Sequence, residues 1–234
     1  LISSDSTNTE STDADTLTAF DSDGFTVGAD VKVNTNTEKY VAWQWIEGST
    51  PGFDVVTWTG NVTNRTIAHS LSAVPAFIVV KNLGGADNWV VYHQANTAAP
   101  ETEHFQLNTT AATADSDAYW NDTAPTSSVF TIGINGGVND GSQPILGYLW
   151  AEIEGFSKFG SYIGNGNADG PFVWCGFEPA VVIIKRTDST SDWTIKDVTR
   201  NPYNVVDNAL LPDATNTEYT ATWVYVDFLS NGFK

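Results

Sequence analysis

The chain repeats itself, and this limits its fold more than any other feature. At an offset of 105 residues Phe25 falls on Phe130, Gly28 on Gly133, Asn34 on Asn139 and Trp45 on Trp150. A two-residue insertion and a change of turn length reset the offset to 104. There Gly60 falls on Gly164, Asn61 on Asn165, Pro75 on Pro179, Lys81 on Lys185 and Trp89 on Trp193. Residue classes match as well, with VPAFIVVKN at 74–82 lying on EPAVVIIKR at 178–186. A third copy begins at the end, where Asn231-Gly232-Phe233-Lys234 matches Asp23-Gly24-Phe25-Thr26 and Ser128-Val129-Phe130-Thr131. Self-similarity at a fixed period means one supersecondary unit used more than once, and two copies are too few for an open solenoid.

Short runs of Val, Ile, Thr, Phe, Tyr and Trp alternate with Gly, Asn, Asp, Ser and Pro clusters, the pattern of strands joined by turns. Only the Ala- and Thr-rich stretch from Thr97 to Asp117 has any helical character, and its Thr and Asp content works against a helix. The runs Ala76–Val80 and Ala180–Ile184 do not alternate, which predicts central strands covered on both faces. Each large apolar side chain buried there contributes about 1.5 to 3 kcal/mol. The expected fold is all-β: two tandem pseudo-symmetric antiparallel β-sandwiches, jelly-roll-like, of roughly 105 residues each. Residues 25–126 form the first repeat and 127–234 the second, with Pro75, Pro179, Trp89 and Trp193 as core landmarks. Residues 1–24 hold six acidic residues, ten Ser or Thr and no basic residue, and are expected as an acidic, solvated arm. The C-terminal segment is expected to need a strand donated by a neighbouring subunit, by more of a longer chain, or by the N-terminal strand.

The 28 acidic against 10 basic residues give a net charge of -18, which excludes a nucleic-acid partner because such a chain repels phosphate. Hydrophobic residues nevertheless reach 41%, enough to build a core. Cys175 is the only cysteine, so disulfides within the chain and cysteine-built metal sites are excluded. No apolar run is as long as a membrane span, and no membrane insertion is expected. Met is absent, so Leu1 is expected to be a processing point or to lie within something longer.

Few residues are arranged for chemistry. Glu152 and Glu154 in Trp-Ala-Glu-Ile-Glu-Gly are expected on one face of a strand, at about the 6.5 to 7 Å spacing that glycoside hydrolysis uses. No further carboxylate completes a glycosidase pattern, and a solvated or lysine-paired face is the preferred reading. His69, His93 and His104 are far apart and show no metal-binding spacing. No nucleophile elbow or phosphate-cradling loop is present. No catalytic residue is therefore assigned. Asn165, Asn167 and Asp169 open like a calcium loop, but position twelve of that frame is Gly176, which favours a turn; calcium is the one cofactor such a loop would take. Asp21-Ser22-Asp23-Gly24 reads the same way. Trp58 and Tyr162 are repeat equivalents beside the Gly-Asn turns and are the candidate glycan platform, while Trp120 and Trp223 lie in the variable stretches. Cys175 is expected as a small core residue. Asn61, Asn64, Asn108 and Asn121 each head a glycosylation acceptor pattern that matters only in a host that glycosylates.

The strings Glu154–Tyr162 (EGFSKFGSY), Gly164–Phe172 (GNGNADGPF) and Asp227–Lys234 (DFLSNGFK) resemble a domain of unknown function found in virion-associated proteins of marine tailed bacteriophages, often beside laminin-G or concanavalin-like modules. The likeness runs from Phe20 onward and implies a non-enzymatic virion protein, a fibre, appendage or capsid decoration. Other virion proteins, further copies of the chain and a host-surface glycan are its expected partners, and its expected location is extracellular, on the virion. A lectin-like, calcium-dependent glycan-binding module is the alternative.

Overall fold

The computed structural model describes residues 1–220 and 225–234. A hairpin of β1 (Leu17–Asp21) and β2 (Gly24–Val27) leads into one helical turn, α1 (Val31–Asn34). Then come β3 (Phe53–Thr59), β4 (Arg65–Ala68), β5 (Phe77–Asn82), β6 (Val90–His93), β7 (Glu103–Gln106) and β8 (Ala114–Asp115). The turn α2 (Asp117–Trp120), β9 (Val129–Ile132), the turn α3 (Gly136–Asn139) and the long β10 (Pro144–Trp150) follow. The remainder holds β11 (Val173–Trp174), β12 (Val181–Ile184), β13 (Thr194–Asp197), β14 (Asn208–Ala209), β15 (Tyr219–Thr220), β16 (Phe228–Leu229) and β17 (Gly232–Phe233). The chain is all-β, and its named strands pair antiparallel.

The main sheet has six strands in the order β3-β10-β5-β6-β7-β8. One face carries Ile78, Val80, Ile145 and Leu149, closed by Ile67 and Phe130 of the β4–β9 ribbon and by Val138 of α3. The other face carries Val79, Val91 and Phe105 under Trp89 and Trp193. Strand β5 is therefore covered on both sides, which is why its apolar run does not alternate. The sheet runs across residue 126: β3 and β5 to β8 come from the stretch before it, β10 from the stretch after it.

Residues matched by the sequence offsets make matched hydrogen bonds. The backbone N–H of Gly28 donates to Thr16 O at 2.7 Å, and that of Gly133 to Tyr119 O at 2.7 Å. Asn34 Nδ2 donates to Gly28 O and Asn139 Nδ2 to Gly133 O, both at 2.8 Å. Asp30 and Asn135 cap α1 and α3 in the same way, each side chain accepting from the N–H two residues on. Trp89 N–H donates to Asn108 Oδ1 and Trp193 N–H to Asp213 Oδ1. Strand β12 meets β13 in the register of β5 with β6, Val181 opposite Asp197 as Phe77 is opposite His93.

Closure differs between the matched parts. Among the described residues β12 pairs only with β13, whereas β5 lies between β6 and β10. The expectation that Ala180–Ile184 is covered on both faces is thus corrected. Val182 is buried with Val206, Val226 and Phe228, but Val181 and Ile183 are 39% and 46% exposed, because among the described residues no strand lies where β10 lies for β5. The Thr97–Asp117 stretch holds a 3-10 turn at Pro100–Thr102 and two strands, with helix only from Asp117. In the acidic segment 1–24, Ile2 packs beside the Trp89 cluster and Glu10 N–H donates to Leu83 O at 2.9 Å, while β1 is exposed throughout.

Strand β13 buries Lys196 completely, its Nζ donating to Asp207 O at 2.9 Å. Burial pushes this ammonium down to about 8 from an ordinary 10.5. Between those values the unfolded chain holds the proton and the folded chain does not, so this residue's cost to stability is full below pH 8 and is relieved as pH rises toward 10.5. Thermal denaturation across pH 7 to 11 should show wild type gaining on Lys196→Met through that window, by at most about 3 kcal/mol. A difference independent of pH would mean the buried amine keeps its ordinary pKa.

Candidate functional site

The structure distributes the predicted site residues rather than gathering them. Trp58, on β3, is half-buried: its Nε1–H donates to Val138 O at 3.0 Å, its ring meets Phe130 edge-on at 5.7 Å, and it lies over Gly147 of β10. Its equivalent Tyr162 is 45% exposed and touches Phe233 edge-on at 6.0 Å. The two rings share no partner. Trp89 and Trp193 lie in one buried cluster, with their ring N–H groups donating to Ser3 O and Gln106 O, and Pro75 and Pro179 are buried. Trp120 is buried and donates to Glu103 O, and Trp223 lies outside the described residues.

The two Asn side-chain oxygens of the calcium-like run are committed to its own backbone. Asn165 Oδ1 accepts from Asn167 N–H and Asn167 Oδ1 from Asp169 N–H, both at 3.0 Å, and the Asp169 carboxylate pairs with Lys234. This is the wiring of a self-capped turn. Among the described residues no three His, Cys, Asp or Glu side chains gather as metal ligands.

The expected strand placement of Glu152 and Glu154 is corrected. Strand β10 ends at Trp150, and a tight reversal follows in which Ile153 bridges to Ser157. Glu152 accepts from Gln94 Nε2 and Phe159 N–H and pairs with Lys158 at 2.9 Å, while Glu154 is exposed on the reversal. The histidines stay apart. His69 bonds to Thr126 O, His93 packs edge-on between Phe77 and Phe159, and His104 stacks on Tyr119 at 3.7 Å. Burial lowers the pKa of His93 and of His104, so both are neutral packing groups at pH 7. Cys175 is a free, half-buried thiol.

The later part of the chain leaves several large apolar side chains exposed: Val181 and Ile183 on β12, Trp174 on β11, and Tyr162 and Ile163 in the preceding loop, Ile163 at 89%. A second exposed apolar stretch runs through Tyr40, Trp45 and Ile46. Single-residue screening for chemistry misses such a feature. Its signal in the sequence is a count of parts: three copies of the first strand (β2, β9 and β17) against two of the VPAFIVV strand.

No helix among the described residues is long and apolar enough to cross a membrane. A family model described as a domain of unknown function, DUF7483, matches residues 1–234, and the chain belongs to that family. No curated protein and no solved structure matches it.

Because Trp58 fills space against β9, α3 and β10 while Tyr162 faces solvent, their truncations should differ. Trp58→Ala should lower stability by about 3 kcal/mol, and Tyr162→Ala by less than about 0.5 kcal/mol, as read by urea unfolding. Equal losses would show that Tyr162 is also a packing residue.

Proposed function

We propose that this member of the family is a non-enzymatic structural protein of a bacteriophage virion, a fibre, appendage or surface decoration, that assembles through β edges and contacts the host surface. The observation that carries this reading is the edge of β12 that pairs with no strand among the described residues, beside exposed Val181 and Ile183. Such an edge is a ready template for a further strand. The resemblance of Glu154–Tyr162, Gly164–Phe172 and Asp227–Lys234 to virion-associated proteins supplies the setting. A charge of -18 with only ten cations suits a surface that stays soluble in salty water. The matched capping turns and Trp hydrogen bonds support a finer architecture of two tandem, pseudo-symmetric, jelly-roll-like repeats, of which the second stands open.

A lectin-like reading has its own observation. The exposed rings of Phe156, Tyr162, Phe172 and Trp174 flank the Asn165–Asp169 turn and offer stacking faces to a sugar. Glycan-array binding that is lost on Tyr162→Ala or with EDTA, with no self-association, would favour it.

Under the structural reading, sedimentation velocity over a concentration series should show oligomers growing with concentration, and electron microscopy of intact particles should locate the chain on the virion exterior. A chain that stays monomeric at its highest soluble concentration and is absent from particles would overturn the proposal.

A further inference from the structure

We infer that the open edge of β12 receives Tyr40–Ile46 of a second copy of the chain, with α1 of that copy docked beside Gly164. The inference rests on the proposed assembly through sheet edges and names its donor, its acceptor and their register.

The chain contains a filled version of the same slot. There β10 lies between β3 and β5, and α3 docks at the end of β3, where Asn139 Oδ1 accepts from Asn61 N–H and Gly60 N–H donates to Gln143 O. The later walls match in sequence: Tyr162 corresponds to Trp58, Gly164 to Gly60, and β12 to β5. The neighbouring ribbon is already complete. Strand β11 pairs with β17, Val173 opposite Phe233, as β4 pairs with β9, Ile67 opposite Phe130. Cys175 N–H donates to Asn231 O at 2.9 Å as His69 N–H donates to Ser128 O at 3.0 Å. Among the described residues this second slot lacks the counterparts of α3 and β10, and residues 157–163, which match β3, form no strand, so β12 is its one strand wall.

One unused set of those two parts exists. At an offset of 105, α1 corresponds to α3 and Tyr40–Ile46 to Ile145–Ala151. The turn α3 buries Gly137, Val138 and Asn139, whereas α1 makes the same capped turn and buries nothing. Among the described residues Tyr40–Ile46 pairs with no strand, and its aromatic contacts are those of Trp45 with Phe53 and Trp150. Trp150 lies opposite Phe77 and Tyr148 opposite Val79. The same register places Trp45 opposite Val181 and Trp43 opposite Ile183. Tyr148 and Trp150 pack on the cluster containing Val79, so Trp43 and Trp45 would cover the two side chains that β12 leaves exposed.

Charge does not drive this contact: residues 1–54 carry ten acidic residues and two lysines, residues 151–234 eleven acidic and six basic residues, and both sides are acidic. Each copy offers one donor and one acceptor, so the contact is heterologous and extends head to tail.

Gly164 supplies the discriminating variant. A Cβ at Gly60 would fall 1.7 Å from Asp140 O, whereas one at Gly164 meets nothing within 4 Å. The donor residue matching Asp140 is Thr35, so Ala at 164 is harmless to the isolated chain and collides with an arriving donor. Gly164→Ala should keep the wild-type melting temperature while weakening self-association by about tenfold or more, the effect of about 1.4 kcal/mol. Gln44→Pro, which interrupts the donor strand, should do the same. In a Cys175→Ser background, mixing Trp43→Cys chains with Ile183→Cys chains under mild oxidation should give a disulfide-linked pair. If wild type assembles, both variants assemble equally well and no cross-link forms, this pairing is overturned while edge assembly stands. If wild type never associates, both are overturned.

Discussion

The fold depends on one long strand inserted between two others far away in sequence. Strand β10 pairs with β3 along its whole length and with β5 along nearly all of it, joining residues more than sixty positions apart. Bringing such distant segments together costs loop-closure entropy, although that cost grows slowly with length. What offsets it is burial on both faces: Ile145 and Leu149 on one side, Tyr148 and Trp150 on the other. The docking of α3 fixes the strand's starting point. The fully buried Asn139 alone ties together Gly133 O, Thr63 O and Asn61 N–H. Without β10, β3 would lose its strand partner, β5 would become an edge and the β4–β9 ribbon would cover a broken sheet.

This dependence explains which features could be read from the sequence. Trp89 and Trp193 were legible as core landmarks because each recurs beside a β-rich run, and the structure gives each ring a carbonyl for its N–H. The apolar run of β5 was legible as a doubly covered strand, and the near-identical run of β12 misled. Local pattern reports what a strand is suited to, while coverage depends on a partner strand that the pattern does not contain. The offsets likewise matched residues along the chain but did not say which parts pack together. That the main sheet draws β10 from beyond residue 126 follows from non-local pairing, which no local propensity encodes.

The acidic, Ser- and Thr-rich first segment offers little to bury and is mostly exposed, yet its backbone is put to use: Thr7 O accepts from buried Lys81 and Ser3 O accepts from Trp89. The pairing of Glu152 with Lys158 was readable, but its strand was not, because the reversal at Ile153–Ser157 is closed by the Ser157 hydroxyl, which both accepts from Ile153 N–H and donates to Ala151 O. The Asn165–Asp169 run looked like a cation loop because the same side-chain oxygens that wrap a metal also cap a turn.

The scarcity of cations bears on how two copies can meet. Lys81 and Lys196 are both fully buried on backbone carbonyls, leaving a surface more acidic than the ten-to-twenty-eight ratio suggests. Two such surfaces repel at long range in any orientation. The reach of that repulsion falls from about 10 Å at 0.1 M salt to about 3 Å at 1 M. An association driven by backbone pairing and apolar cover therefore strengthens as salt rises, unlike one built on exposed ion pairs. The first 54 residues carry a net charge of -8 and residues 151–234 one of -5, so the proposed donor and acceptor parts are both acidic. Charge on this chain opposes the contact, salt weakens that opposition, and strand pairing would have to supply the adhesion.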